Sequence, residues 1–348
     1  MKLNTICLFL FTFGILISNC GDNNEDRFAQ EWLIPSDRVF DGGVGQDGIP
    51  AVDDPNFSSV SEIDFLSDNA LVVGIFSDTE VKAYPHPILD WHEIVNDEIG
   101  DKSVAVTYCP LTGTAIGWDR NVNGSKTTFG VSGKLYQTNL IPFDRATESY
   151  WSQIRLDCVN GNLINTKINT SPVVETTWAT WKQMYPNSFV MNTNTGFSRN
   201  YQQFPYGDYR TNNANLLFPV DPLDQRLGSK NRVLGVLGDQ EKRVYSIDLF
   251  ESPRVIHDVL DGQNLVIVGS KEMNFIVAYE DNSLIEGLEI NLDNLPIVGV
   301  ATNGNQVTLF GQVLDSNGNF IQNLNNTESF IAYWFSLGAF YPGIEIYE

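Results

Sequence analysis

Alternating and β-branched apolar runs dominate the chain and predict a protein built mainly from β-strands. The runs are bounded by Gly, Asn or Asp, which are typical turn residues. They are LVVGIF (71–76), SVAVTY (103–108), TAIGW (114–118), KTTFGV (126–131), RVLGVL (232–237), NLVIVGS (264–270), NFIVAY (274–279) and QVTLFGQVL (306–314). The pattern predicts a β-dominated α+β fold, with mixed or antiparallel sheets and a few short helices.

Two segments have apolar residues at the three-and-four spacing that predicts a helix. HPILDWHEIVND (86–97) is the first, with His92 on the apolar face. TTWATWKQMYP (176–186) is the second; Thr176 or Thr177 can cap it, and Pro186 marks its end.

A long aperiodic segment, residues 199–231, follows the second predicted helix and carries three prolines. This composition predicts an ordered surface loop that joins an N-terminal portion to a C-terminal β portion. We expect residues 32–348 to form a single β-rich domain, and a division into two parts would fall near this loop.

The N-terminus has the features of a targeting segment. MKLNTICLFLFTFGILISNC has one early lysine and an apolar run that is too short to anchor the chain as a membrane-spanning helix, so residues 1–19 are predicted to be a signal peptide. The sequence ISNC resembles a bacterial lipobox, which implies lipidation of Cys20. Residues 20–31 are acidic and polar, which predicts a solvated tether.

The leader and the charge together indicate the compartment and exclude some partners. Acidic residues after the cysteine resemble an outer-face export signal of Bacteroidetes-type lipoproteins, so we expect a lipid anchor in the cell envelope, at the outer membrane. Ordinary secretion with an unmodified Cys20 is the alternative. The chain carries 43 acidic and 21 basic residues, a net charge of −22. Such a chain repels phosphate backbones, so we expect no nucleic-acid partner.

Once Cys7 leaves with the leader and Cys20 takes the lipid, two cysteines remain. Cys109 stands in VAVTYCPLTGTAIGWDR, between two predicted strands and before a turn. It could be a working thiol, a metal ligand or a small buried residue. The Thr112 hydroxyl could donate a hydrogen bond to the sulfur and favour the thiolate, which would lower the pKa of Cys109 below its reference of about 8.5.

His92 is the second candidate, because its predicted helix immediately precedes the Cys109 strand. The imidazole could act as a base, or as a nitrogen ligand beside the sulfur of Cys109. Copper or zinc would suit this pair, but the chain has no Cys-x-x-Cys or His-x-x-x-His motif to complete a site. The alternative is a structural histidine that bonds a backbone carbonyl.

A third candidate region surrounds FDRATESYWSQ (143–153). Arg145 and Gln153 could line a substrate pocket together with Ser132 and Gly133, because FGVSG predicts a small-residue turn at the end of a strand. Asp144 is expected to lock the loop.

Three long stretches, VKAYPHPILDWHEIVND, VAVTYCPLTGTAIGWDR and FGVSGKLYQTNLIPFDRATESYWSQI, resemble the bacterial family DUF3179, a domain of unknown function. The resemblance covers roughly residues 30 to 280, with a looser echo in AYWFSLGAFYP. Family members commonly read Cys-Pro-Leu-Cys-Gly at the Cys109 position, and some carry selenocysteine. That pattern implies redox or soft-metal chemistry. Here Thr112 replaces the second cysteine, so any disulfide would need Cys158, glutathione or a partner.

The sequence supports two functional hypotheses. In the first, an envelope lipoprotein carries out thiol-based redox or soft-metal handling as a thiol-dependent oxidoreductase, with Cys109 tuned by Thr112 and His92 and with a thiol partner or small-molecule ligand. In the second, a non-catalytic lipoprotein binds a ligand or glycan, and Cys109 is structural. Cys158 is expected not to act as a resolving thiol. Solvent access to Cys109 distinguishes the two hypotheses.

Overall fold

A computed structural model describes residues 31–348, of which Trp32–Glu348 form one compact unit. The predicted signal peptide, Cys20 and all of the predicted tether except Glu31 lie outside the described residues. None of the helices within 31–348 is long and apolar enough to cross a membrane. Strand is the most frequent regular structure among the described residues, which confirms the β-dominated α+β fold. They contain three short α-helices: α1 (His86–His92), α2 (Trp178–Met184) and α3 (Trp334–Phe340).

The N-terminal part contains three five-stranded sheets and one small hairpin. Sheet 1 has the order β1-β11-β12-β13-β14, from β1 (Val39–Asp41), β11 (Phe129–Tyr136), β12 (Asn139–Asp144), β13 (Tyr150–Ser152) and β14 (Asp157–Asn160). Sheet 2 has the order β15-β8-β7-β6-β2, from β2 (Val52–Asp53), β6 (Ile94–Ile99), β7 (Lys102–Cys109), β8 (Thr114–Asp119) and β15 (Thr170–Ser171). Sheet 3 has the order β16-β4-β5-β17-β3, from β3 (Phe57–Ser59), β4 (Leu71–Phe76), β5 (Val81–Pro85), β16 (Val173–Thr177) and β17 (Phe189–Met191). The hairpin pairs β9 (Asn121–Val122) with β10 (Ser125–Lys126).

Three further sheets form the C-terminal part. Sheet 4 has the order β28-β18-β19-β29, from β18 (Arg232–Leu237), β19 (Lys242–Ser246), β28 (Ser329–Tyr333) and β29 (Glu345–Ile346). Sheet 5 is β20 (Arg254–Leu260), β21 (Gln263–Ser270) and β22 (Phe275–Glu280). Sheet 6 is β23 (Glu289–Ile290), β24 (Ile297–Val300), β25 (Gln306–Thr308), β26 (Gln312–Leu314) and β27 (Phe320–Asn323). Antiparallel pairs predominate, and β2–β6, β5–β17 and β19–β29 are parallel.

The apolar runs located most strands well, but two runs each span parts of two strands. LVVGIF and RVLGVL coincide with β4 and β18 residue for residue. The run 306–314 is two strands, because the chain turns at Gly311 with a φ of +76°. A Cβ there would also lie 2.8 Å from the Tyr279 ring. The run 126–131 likewise splits between β10 and β11.

The first helix is shorter than predicted. Residues 86–92 are helical, but Glu93 adopts a φ of +58°, and the chain continues as β6. Ile94 and Val95 are β-branched and fully buried in this strand, where they pair with β7. Over so short a stretch, apolar spacing fits both the helical period and the strand period. Pairing with β7 makes residues 94–99 a strand. The short helix therefore delivers Glu93 directly beside the strand that carries Cys109.

The second helix and the aperiodic segment follow the predictions. Thr177 caps α2, and its side chain accepts a hydrogen bond from the Thr180 amide. Residues 199–231 contain turns and bends but no helix or strand. This segment packs against the core around Cys109, and the Tyr209 hydroxyl donates to the Leu111 carbonyl at 2.8 Å.

Candidate functional site

Cys109 ends β7 and begins the turn that leads into β8. Its side chain is 1% exposed and packs in a core cluster with Leu111 and Leu140. The thiol donates to the Thr138 carbonyl at 3.7 Å. Gly113 closes the turn with a φ of +58°. The sulfur is therefore enclosed by the protein.

Burial raises the pKa of Cys109 to about 11, and the nearby Glu93 carboxyl adds to the rise. Hydrogen bonds from Thr112 oppose it but do not offset it. The expectation of a lowered pKa is therefore wrong for the folded protein. The Cys-Pro-Leu-Thr motif does not reveal how deeply the rest of the chain covers the sulfur, and desolvation decides which protonation state is favoured.

Thr112 and Gln153 belong to a buried hydrogen-bond network behind the thiol. The Asn139 side-chain amide donates to the Thr112 hydroxyl at 3.0 Å and to the Gln153 side-chain carbonyl at 2.7 Å. Gln153 in turn donates to the Thr107 carbonyl. The structure thus places Gln153 in a satisfied network that joins sheets 1 and 2.

His92 is engaged away from Cys109. One ring nitrogen, Nδ1, lies 2.7 Å from the Pro50 carbonyl, and Nε2 lies 2.7 Å from the Tyr201 hydroxyl. Burial lowers the pKa of His92, so the neutral imidazole is favoured. No hydrogen bond or ring contact joins it to Cys109 within residues 31–348. In the same range, no three His, Cys, Asp or Glu side chains are grouped to hold a metal ion.

Glu93, the residue after His92, is instead close enough to the thiol for its charge to raise the pKa of Cys109. Its backbone has a φ of +58° and a ψ of −31°, a strained conformation for a residue with a side chain. Its side chain accepts a hydrogen bond from the Tyr206 hydroxyl at 3.3 Å. The residue is 7% exposed, and burial raises the pKa of its carboxyl to about 7. Sequence reasoning missed it because a helix was expected to continue through this position.

A pocket of about 310 Å³ opens over Glu93. Glu93 and Tyr206 contribute to its wall, as do Gly133 and Lys134 from β11. Most of the lining is apolar: Ile49, Leu111, Val131, Leu135, Leu140 and Phe218. Leu111 and Leu140 also pack in the cluster around Cys109, so the thiol lies behind one wall of the pocket.

Glycine is required at Gly133 by the close approach of the chain. Its φ is +75°, and a Cβ there would lie 2.9 Å from the Gly45 carbonyl oxygen. The structure therefore places Gly133 where residues 42–48 cross β11. The adjacent Ser132 does not line the pocket; its hydroxyl donates to the Ile141 carbonyl and accepts from the Lys134 amide.

Arg145 holds the segment that forms one rim of the pocket. Its guanidinium donates to Asp47 at 2.8 Å and to the Phe129 carbonyl at 3.2 Å. Asp144 locks its own loop by accepting from Thr147 and from the Trp151 indole. The predicted substrate-binding residues are therefore divided. Gly133 lies in the pocket wall, Arg145 holds the rim, and Gln153 belongs to the network behind the thiol. Ser132 bonds within sheet 1 and does not line the pocket.

The pocket offers hydrogen bonding and proton exchange at one end and apolar contact elsewhere. A carboxyl with a pKa of about 7 changes protonation readily near neutral pH, and the charge of Glu93 raises the pKa of the Cys109 thiol. These are the features of a small-molecule site: a mainly apolar cleft with a few polar groups.

Comparisons with curated proteins and with solved structures found no match. The family model described as "Protein of unknown function (DUF3179)" matches residues 46–344, which extends the resemblance well beyond residue 280 and through α3. Because this match spans most of the chain, the protein belongs to the DUF3179 family.

Proposed function

We propose that this protein binds a small, mainly apolar molecule in the pocket over Glu93, and that a lipid on Cys20 holds it in the cell envelope. The observation that carries the binding proposal is the pocket itself. It has about 310 Å³ of space, apolar walls, and a buried carboxyl and a tyrosine hydroxyl in its wall. A ligand there would bury apolar surface and satisfy a specific polar contact.

The rim supports access from solvent. Val44 and Leu217 line the pocket, and their side chains remain 46% and 45% exposed. A ligand that covers half-exposed apolar side chains removes apolar surface from water, which contributes favourably to the free energy of binding. The entrance is therefore apolar as well as the interior.

The fluorescent probe 1-aminoanthracene tests binding directly, because it is small, apolar and brighter in apolar surroundings. We expect one probe per protein. Leu217→Ala should weaken probe binding about threefold to tenfold, because it removes apolar contact at the rim. Leu223→Ala is the matched control, since Leu223 is 40% exposed in the same 199–231 segment but does not line the pocket. Binding that is absent, or equally sensitive to both variants, would contradict the proposal.

Thiol chemistry at Cys109 is the second candidate function. It is favoured by the Glu93 carboxyl, which is close enough to affect the pKa of the thiol and can accept its proton when ionised. Hydrogen peroxide near neutral pH should then oxidise Cys109 of the folded protein to the sulfenic acid. Cys158 is an internal control, because it is equally buried and Glu93 does not influence its pKa. If oxidation requires unfolding, this candidate fails. The single thiol and the bonded His92 offer less to soft-metal handling.

The anchor is tested independently of the pocket. Cys20→Ala should abolish labelling by a radioactive fatty acid and release the protein from the membrane fraction. Cys7→Ala is the control, because Cys7 lies within the predicted signal peptide. A labelled, membrane-bound Cys20→Ala protein would show that the lipobox interpretation is wrong.

A further inference from the structure

We propose that the ligand of this pocket is an amphiphilic amine, whose protonated amino group pairs with the Glu93 carboxylate while its apolar body fills the rest of the cavity. This inference rests on the proposed function and specifies the ligand class. It follows from three observations: an unfilled bonding capacity on Glu93, the charges that face it, and the side chains that line the space beside it.

The Glu93 carboxyl has one oxygen to spare. Its Oε1 accepts from the Tyr206 hydroxyl, and within residues 31–348 no side chain or amide donates to Oε2. The residue is more than nine-tenths buried and lines the pocket. Oε2 is not among the fully enclosed unpaired atoms of residues 31–348, so it is open to the cavity and can accept a hydrogen bond from a ligand.

The groups that face Glu93 supply little positive charge. Asp90 from α1 raises its pKa, the Tyr206 hydroxyl comes from the 199–231 segment, and β7 contributes the neutral Cys109 thiol. Lys134 lines the pocket from β11, but within the described chain it forms no ion pair with Glu93, and its ammonium lies 5.8 Å from the Tyr150 ring centroid. An ionised Glu93 therefore needs a cation from outside the chain, because an isolated buried charge is costly.

The remaining lining suits the body of such a ligand. Tyr206 and Phe218 present aromatic rings, which attract ammonium groups as well as apolar chains. The leucines and valines accept an aliphatic or aromatic body. The net charge of −22 also raises the local concentration of cations around the protein.

Competition among three probes of equal chain length tests the ligand class. Octylamine, octanol and octanoate would each displace 1-aminoanthracene from the wild-type protein at pH 7.5. We expect half-displacement by octylamine at a concentration at least tenfold below that of octanol, with octanoate the weakest. Glu93→Gln should reduce the preference for octylamine over octanol to less than threefold, because the amide carries no charge.

Asp41→Asn is the matched control for general electrostatics. It also removes one negative charge, next to Gly42 on the pocket rim, and the Asp41 oxygen that accepts from the Gly43 amide has a counterpart in asparagine. The amine preference should persist in this variant. Equal displacement by octylamine and octanol in the wild type, or a preference retained in Glu93→Gln, would overturn the amine inference and leave the pocket intact. The proposed function itself would be overturned if none of the three competitors displaced 1-aminoanthracene and if Leu217→Ala did not change the binding of 1-aminoanthracene.

Discussion

Two acidic side chains of one short segment, Asp90 and Glu93, have different bonding partners in the fold. Both are buried, at 4% and 7% exposure, and burial raises the pKa of each to about 7. Asp90 receives an arginine partner, Arg210, which opposes that rise. Glu93 receives only a tyrosine hydroxyl and faces a cavity. Asp90 therefore has a cationic partner within the protein. Glu93 has none within the described residues and can still accept a hydrogen bond from a ligand.

The Asp90 side of the helix is part of an extended charge network. Arg210 also donates to the Tyr108 hydroxyl at 3.3 Å. Nearby, Arg232 donates to Glu175 at 3.2 Å, and the His86 ring lies against the same carboxylate. These residues come from both halves of the sequence. The network therefore ties the N-terminal sheets to β18, whereas the Glu93 side has no comparable ion pair within residues 31–348.

Removal of Arg210 should have the largest effect. Arg210→Met leaves the Asp90 carboxylate buried without its cation, and we expect a loss of about 2–3 kcal/mol in the free energy of unfolding by urea at pH 8. Breaking a fully buried pair costs about 3–5 kcal/mol, and the smaller value reflects the one-third exposure of Arg210. Asp90→Asn combined with Arg210→Met should recover at least half of the loss. A double variant as unstable as the single one would show that the pair does not explain the effect.

Glu93→Gln should act in the opposite direction. The folded-state pKa of about 7 lies above the unfolded value of 4.5, so ionisation of Glu93 removes stability as pH rises from 4.5 through 7. The glutamine variant avoids this loss. It should be more stable than the wild type by at most about 3 kcal/mol at pH 8 and equal to it near pH 4. Urea unfolding at the two pH values measures the difference, with Asp41→Asn as an exposed control. A pH-independent difference would contradict a raised pKa at Glu93.

The smallest effects concern the thiol. At pH 9, Glu93→Gln should speed alkylation of Cys109 by iodoacetamide severalfold, because it removes a charge that raises the pKa of the thiol. Thr112→Val should slow it severalfold, because it removes a hydrogen bond that lowers that pKa. Mass spectrometry of the two cysteines gives both rates. Cys158 should respond to neither variant, and a parallel change there would indicate general loosening of the fold.

Local pattern predicted the strands and the second helix, since both depend on residues close in sequence. It also placed Cys109 correctly between two strands. It failed at Glu93, because helix and strand periods overlap over residues 86–97 and only pairing with β7 separates them. The protonation of Cys109 was equally out of reach, because the groups that cover the thiol lie far along the chain. The role of Tyr206 could not be predicted either, because it lies in an aperiodic segment far from Glu93 in the sequence.

The turn that carries Cys109 is held from two distant parts of the chain. Tyr209, 98 residues beyond Leu111, donates to that residue's carbonyl, and the Tyr333 amide donates to the Thr112 carbonyl at 2.7 Å. Contacts of such sequence separation form late, because long loops must close first. A nascent chain that has not yet reached β28 cannot complete this enclosure. The thiol is therefore fully covered only after the last strands have been made and have paired.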